Sequence, residues 1–129
     1  MVGRGDWTCV NPNHWLFAGT EMTEGESIAN LVGYEWQGEA ANLPGLELIA
    51  EGPTVSPKGP GRFASTIYPG PKNNFVFNAG TCWWSFGLSE PPGFVRPKYW
   101  NVRAPGPDER VQRITANLLN RMRGAKEMA

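Results

Sequence analysis

The sequence predicts an α+β domain, or a reduced α/β one: about five strands in a mixed or antiparallel sheet, one C-terminal amphipathic helix, and long Gly/Pro loops. Three observations lead there. Runs at 31–36, 62–68 and 75–79 alternate in polarity or concentrate β-branched and aromatic residues, the mark of half-buried strands. One stretch alone, with Val111, Ile114, Leu118 and Met122, repeats at helical spacing. Sixteen glycines and twelve prolines in 129 residues restrict the chain to short elements joined by many turns, while six tryptophans argue for a packed core rather than disorder.

In chain order, residues 1–13 carry Gly3, Gly5 and Pro12 and read as an irregular N-terminal arm anchored by Trp7 and Cys9; the domain proper is expected over 14–129. His14 to Ala18 (HWLFA) is apolar at nearly every position, as in a strand covered on both faces. The acidic loop EMTEGES at 21–27 leads into LVGYEW at 31–36. There Val32, Tyr34 and Trp36 share one face, and Leu31, Gly33 and Glu35 the other. After a turn at 42–45, residues 46–51 form a third strand with Leu46, Leu48 and Ala50 inward. GPTVSPKGPG, residues 52–61, is expected to be a surface loop and a candidate lid. Residues 62–68 form a fourth strand, turned back by Pro69 to Asn73 onto a central fifth strand at 75–79.

That fifth strand opens NFVFNAGTCWWSFGLSEPPG, residues 74–93, which holds the bulkiest side chains beside the tightest backbone. Adjacent Trp83 and Trp84 cannot both enter one core from an extended chain, so one is expected at a crevice, a second layer or a partner. Residues 93–105 read as an ordered crossing loop pinned by Phe94, Tyr99 and Trp100. The helix begins at Pro107, which suits the first helical position, has Asp108 and Glu109 at its positive end, and stops at Gly124.

NAGTCWWSFGL with EPPG, together with HWLFAGT at 14–20, LVGYEW at 31–36 and GPDERVQRITANLL at 106–119, resembles the C-terminal part of the large (beta) subunit of N,N-dimethylformamidase-like proteins. The likeness runs from about His14 to Arg123. It implies relatives that are much longer, with a catalytic region like a glutamine amidotransferase α/β domain and an amidohydrolase activity that depends on iron held by two tyrosines and a glutamate. The iron-ligand region is expected upstream of the matching part. No cofactor or metal site is therefore expected here, iron belonging to full-length relatives, although Tyr34, Tyr68 and Glu35 supply the ligand types. The resemblance also implies that the glutamate of the GYE motif, Glu35, approaches a pocket as a supporting acid.

Two functional classes follow. One is a non-catalytic module that oligomerises or completes the pocket of another, upstream polypeptide. The other is part of an amidohydrolase cleaving a small amide. Glu35 is the first catalytic candidate, an acid inside an apolar strand beside Gly33, with His14, Arg62 and the backbone after Gly80 as expected partners. Cys82 with the single histidine, His14, is a second catalytic pairing, against which stands the reading of Cys9 and Cys82 as buried free thiols. Tyr34, Trp83 and Trp84 are the candidate ligand-binding residues, and with Trp36 they would form an aromatic surface suited to a small apolar ligand or to a partner.

Charge sums to zero but is segregated: residues 1–60 carry two basic and eight acidic side chains, and 61–129 carry ten basic and four acidic. The halves are expected to neutralise one another in the fold or across a homo-oligomer. No nucleic-acid motif accompanies the basic half, and no apolar stretch suggests a membrane span or signal peptide, so neither nucleic acid nor membrane is an expected partner and cytoplasmic residence is the expectation.

Overall fold

The computed structural model describes residues 3–98 and 105–124. Five strands form one antiparallel sheet: β1 (Gly3–Thr8), β2 (Ser27–Tyr34), β3 (Glu47–Ser56), β4 (Gly59–Pro69) and β5 (Phe75–Asn78), in the order β2-β1-β3-β4-β5. The sheet curls until its ends meet. Beyond β2, Trp36 bridges Thr81, with Gln37 N–H donating to Gly80 C=O at 3.0 Å and Cys82 N–H donating to Glu35 C=O at 3.3 Å. Ala64 of β4 also donates to Gln37 C=O. The result is a small, nearly closed barrel.

The first strand is where the sequence reading and the structure part. Residues 3–8, read as an irregular arm, lie between β2 and β3, and Trp7 is fully buried. Its glycines serve close packing inside the barrel, since a Cβ on Gly5 would lie 2.9 Å from Pro53 C=O. Trp7 packs against Phe17 and Trp84 and donates its indole N–H to Ala79 C=O at 3.0 Å, tying β1 to the chain beyond β5.

Three other expectations are corrected. HWLFA is a 3-10 turn, Trp15–Phe17, because His14 Nδ1 accepts the Leu16 N–H and caps it, while Leu16 and Phe17 enter the core. The Gly/Pro run 52–61 is no lid but the β3–β4 hairpin, with Ser56 opposite Gly59. Its prolines are tolerated by position: Pro53 stands one residue past the β1–β3 ladder, and Pro60 lies on the length of β4 that β5 does not reach. The strand read as central, β5, is at the sheet's edge.

The helix α1 (Glu109–Met122) seals one end of the barrel with Val111, Ile114 and Leu118 buried. Pro107 falls just before it, because the Asp108 carboxylate accepts the Arg110 N–H and acts as the N-cap. Asn117 donates to Leu16 C=O and Ala18 C=O, and Arg110 reaches Glu26 and Ser27 at the start of β2. Two ion pairs join the oppositely charged halves of the chain or their border, Arg110–Glu26 at 3.3 Å and Arg62–Glu51 at 3.9 Å. Tyr99, Trp100 and Arg103 lie outside the described residues; Phe94 packs on Phe86. Among the described residues no helix is long and apolar enough to cross a membrane.

Arg110 also grips Asp108 in a fork, Nε to Oδ1 at 3.0 Å and Nη2 to Oδ2 at 2.8 Å. This hydrogen bonding holds the Asp108 carboxyl below its ordinary range and outweighs the opposing effect of burial. A depressed carboxyl stabilises the fold above its unfolded-state pKa, and that contribution disappears as pH falls through the folded-state value. Asp108→Asn keeps a capping oxygen and loses the charge. Melting curves taken from about pH 5 down to about pH 2 are expected to show a shallower acid loss in Asp108→Asn than in the parent protein; parallel curves would remove Asp108 from the acid response.

Candidate functional site

The end of the barrel opposite α1 is built from three separate segments: the start of β1, the residues following β2, and the β3–β4 turn. The register brings them together, with Tyr34 opposite Gly3, Arg4 opposite Val55, and Val55 opposite Pro60. They surround an open recess of about 470 Å³ lined by Gly3, Tyr34, Glu35, Trp36, Ser56, Pro57 and Lys58. Trp36 is half-buried over Gly3, whose missing side chain makes the room: a Cβ there would stand 2.1 Å from the indole ring. Tyr34 and Glu35 are exposed at the rim. Two aromatic rings, one carboxylate and one ammonium group thus meet at an open mouth, an arrangement suited to stacking a flat group while accepting from and donating to its polar edge.

Of the residues singled out in the sequence, the structure brings Tyr34, Glu35 and Trp36 to one recess, sets Cys82 beside the Glu35 main chain, and separates His14, Trp83 and Trp84 from the recess. Trp83 is 1% exposed, its ring lying over Gly33, where a Cβ would meet it at 2.3 Å. Trp84 turns the other way, onto Trp7 and Phe77, and donates its indole N–H to Thr115 of α1 at 3.0 Å. The pair does diverge, as adjacent tryptophans must, but through a 3-10 turn at Trp84–Gly87 and into two layers of packing rather than onto a surface.

His14 and Cys82 do not meet. His14 Nε2 lies 2.7 Å from the Glu47 carboxylate and its Nδ1 accepts from Leu16, so both ring nitrogens are engaged near the start of β3. Cys82 is exposed at the barrel seam, with Sγ 2.9 Å from Gly33 C=O. Only Cys9 is buried, and burial pushes its thiol pKa up. Of the partners expected for Glu35, His14 is paired with Glu47 and Arg62 with Glu51. The backbone after Gly80 does arrive, but it bonds the main-chain oxygen of Glu35.

The other residues offering iron-ligand chemistry are likewise split. Tyr34 is at the mouth, whereas Tyr68 is at the far end of β4, paired with Val76 and near Gly45. Among the described residues no group of three or more His, Cys, Asp or Glu side chains converges.

Sequence reasoning included Trp36 in the aromatic surface but missed Ser56, Pro57 and Lys58 as the wall of the recess. The available signal was the pair Thr54-Val55 inside GPTVSPKGPG, two residues of high β-propensity leading into a turn. It also missed Thr81, whose hydroxyl fastens the seam. Thr81 Oγ1 accepts N–H groups from Gly33 and Trp83, both at 3.1 Å, and has Leu31 C=O at 2.9 Å and Gly33 C=O at 3.0 Å within reach as acceptors.

An antiparallel five-stranded barrel closed by a helix at one end and open on an aromatic recess at the other defines an α+β module. The chain belongs to the N,N-dimethylformamidase beta subunit-like, C-terminal family, whose model matches residues 1–103. The match takes in all five strands and the whole recess and stops before α1. No curated protein and no solved structure matches the chain.

Proposed function

We propose that this chain is a non-catalytic module of the dimethylformamidase type, one that oligomerises or completes the pocket of a separate polypeptide, with Tyr34, Glu35 and Trp36 as the surface it offers. The observation that carries this reading is the split of the ligand types: Tyr34 and Glu35 stand at the mouth and Tyr68 at the opposite end of β4. Among the described residues, a two-tyrosine, one-glutamate iron shell would require them on one side. The recess is also open and shallow in character, one wall of a site rather than an enclosed one, which favours completion by a partner. The second reading, a part of an amidohydrolase for a small amide, is favoured by one observation, the exposed Glu35 carboxylate beside two aromatic rings, where it is free to orient water or an amide.

The test is direct. The purified chain, with and without added ferrous iron, is expected to release no dimethylamine from N,N-dimethylformamide. Release in proportion to protein, abolished in Glu35→Gln with an unchanged melting midpoint, would reverse the ranking and put the amidohydrolase first. Glu35 is exposed, so Glu35→Gln is expected to leave stability within about 0.5 kcal/mol of the parent.

A further inference from the structure

The free edge of β5 assigns a surface to the oligomerising part of that reading. β5 pairs with β4 on one side only, and the barrel seam forms beyond it, at Gly80 to Cys82. The β4–β5 hairpin is closed by Gly70 N–H donating to Asn74 C=O at 2.7 Å, with Asn73 at φ 59° completing the turn. That bond sets the alternation of the ladder. Tyr68 and Val76 then face one another as a hydrogen-bonded pair, and the main-chain N–H and C=O of Phe75 and Phe77 point away from β4. Among the described residues nothing bonds them from the other side.

Such an edge is normally blunted by a charge, a proline or a bulge. Here no charged residue occurs from Asn73 to Ser89, and Val76 stands 67% exposed beside Tyr68. The triplet Phe75-Val76-Phe77 is moreover palindromic. Run antiparallel to itself about Val76, it sets valine against valine and phenylalanine against phenylalanine, and Lys72 falls opposite Gly80, not opposite another lysine. An uncharged, self-matching strip suits its own copy, whereas a charged partner would find no complement there.

We propose that β5 pairs antiparallel with β5 of a second copy across a two-fold axis at Val76. Phe75 of each copy exchanges two main-chain hydrogen bonds with Phe77 of the other, four in all, and the two sheets become continuous. Val76 meets its counterpart at a non-hydrogen-bonded position, where side chains approach most closely.

Light scattering at micromolar concentration is expected to give the mass of two chains. Val76→Lys sets two ammonium groups against each other on the axis and is expected to return the mass of one chain with the melting transition of the monomer intact, while Val76→Thr stays dimeric. Because non-hydrogen-bonded pairs hold Cα atoms about 4.5 Å apart, Val76→Cys in a Cys82→Ser background is expected to oxidise to a covalent dimer. Val95→Cys, even more exposed but elsewhere, is not. A dimer undisturbed by Val76→Lys would overturn the β5 assignment and leave the oligomerising reading in place. A parent protein that is monomeric at these concentrations would overturn both.

Discussion

Gly33→Ala is expected to destabilise the protein by about 3 kcal/mol, the upper range for overpacking a filled core. At about 4 °C per kcal/mol for a chain of this size, the melting midpoint should fall by about 12 °C. The added methyl carbon would lie 2.3 Å from the Trp83 ring, far inside contact distance, and neither side has room to yield. Trp83 is 1% exposed, and Gly33 is held at its N–H by Thr81 and at its C=O by Thr81 and Cys82. Gly3 provides the contrast. A Cβ there comes still closer to a tryptophan, Trp36, but that ring is half-buried at the mouth and can swing into solvent. The two alanine substitutions therefore separate core packing from mouth geometry, and chemical unfolding of both measures the difference. A Gly33→Ala protein that melts like its parent would mean that Trp83 does not pack on β2.

The parts of the fold that were legible in the sequence are those whose side chains alone report their surroundings. The helix shows in the spacing of Val111, Ile114 and Leu118, all of which enter the core, and β4 in its β-branched and aromatic run, with Phe63 and Ile67 buried. β1 was hidden because Gly3 and Gly5, which usually mark turns, are needed where strands close on one another inside a narrow barrel. β3 and β4 were cut short because prolines were counted without knowing which of their nitrogens the ladder requires. The same limit applies to the recess. Tyr34, Glu35 and Trp36 could be chosen from one strand, but Lys58 and Gly3 join them only once β1, the hairpin turn and the chain beyond β2 converge. Trp83 and Trp84 misled for the opposite reason. Their bulk is conspicuous in a list of residues, and the barrel consumes it as packing.

Thr81→Val is the change expected to act most specifically on the seam. Valine matches threonine in shape, so packing is preserved and only the hydroxyl is lost. Gly33 N–H and Trp83 N–H, each 3.1 Å from Oγ1, would lose their acceptor, and the carbonyls of Leu31 and Gly33 would lose the hydroxyl donor. Leaving a buried N–H without a partner costs about 1–3 kcal/mol, so two of them predict a loss of about 3 kcal/mol. Gly33 is buried and Trp83 nearly so, which limits rescue by water. Thr81→Ser keeps the oxygen and is expected to recover most of the stability, losing only the methyl group. Hydrogen exchange distinguishes a local from a global effect: the Gly33 and Trp83 amides should be protected in the parent and in Thr81→Ser, and exchange fastest relative to the parent in Thr81→Val. Because these bonds join residues 31–33 to 81–83, immediately before Tyr34, Glu35 and Trp36, loosening them should also widen the recess and change Trp36 emission before the barrel melts. Thr81→Val that retains both the midpoint and the Gly33 amide protection would show that the hydroxyl does not hold the seam, leaving the Trp36–Thr81 backbone bridge to position the mouth alone.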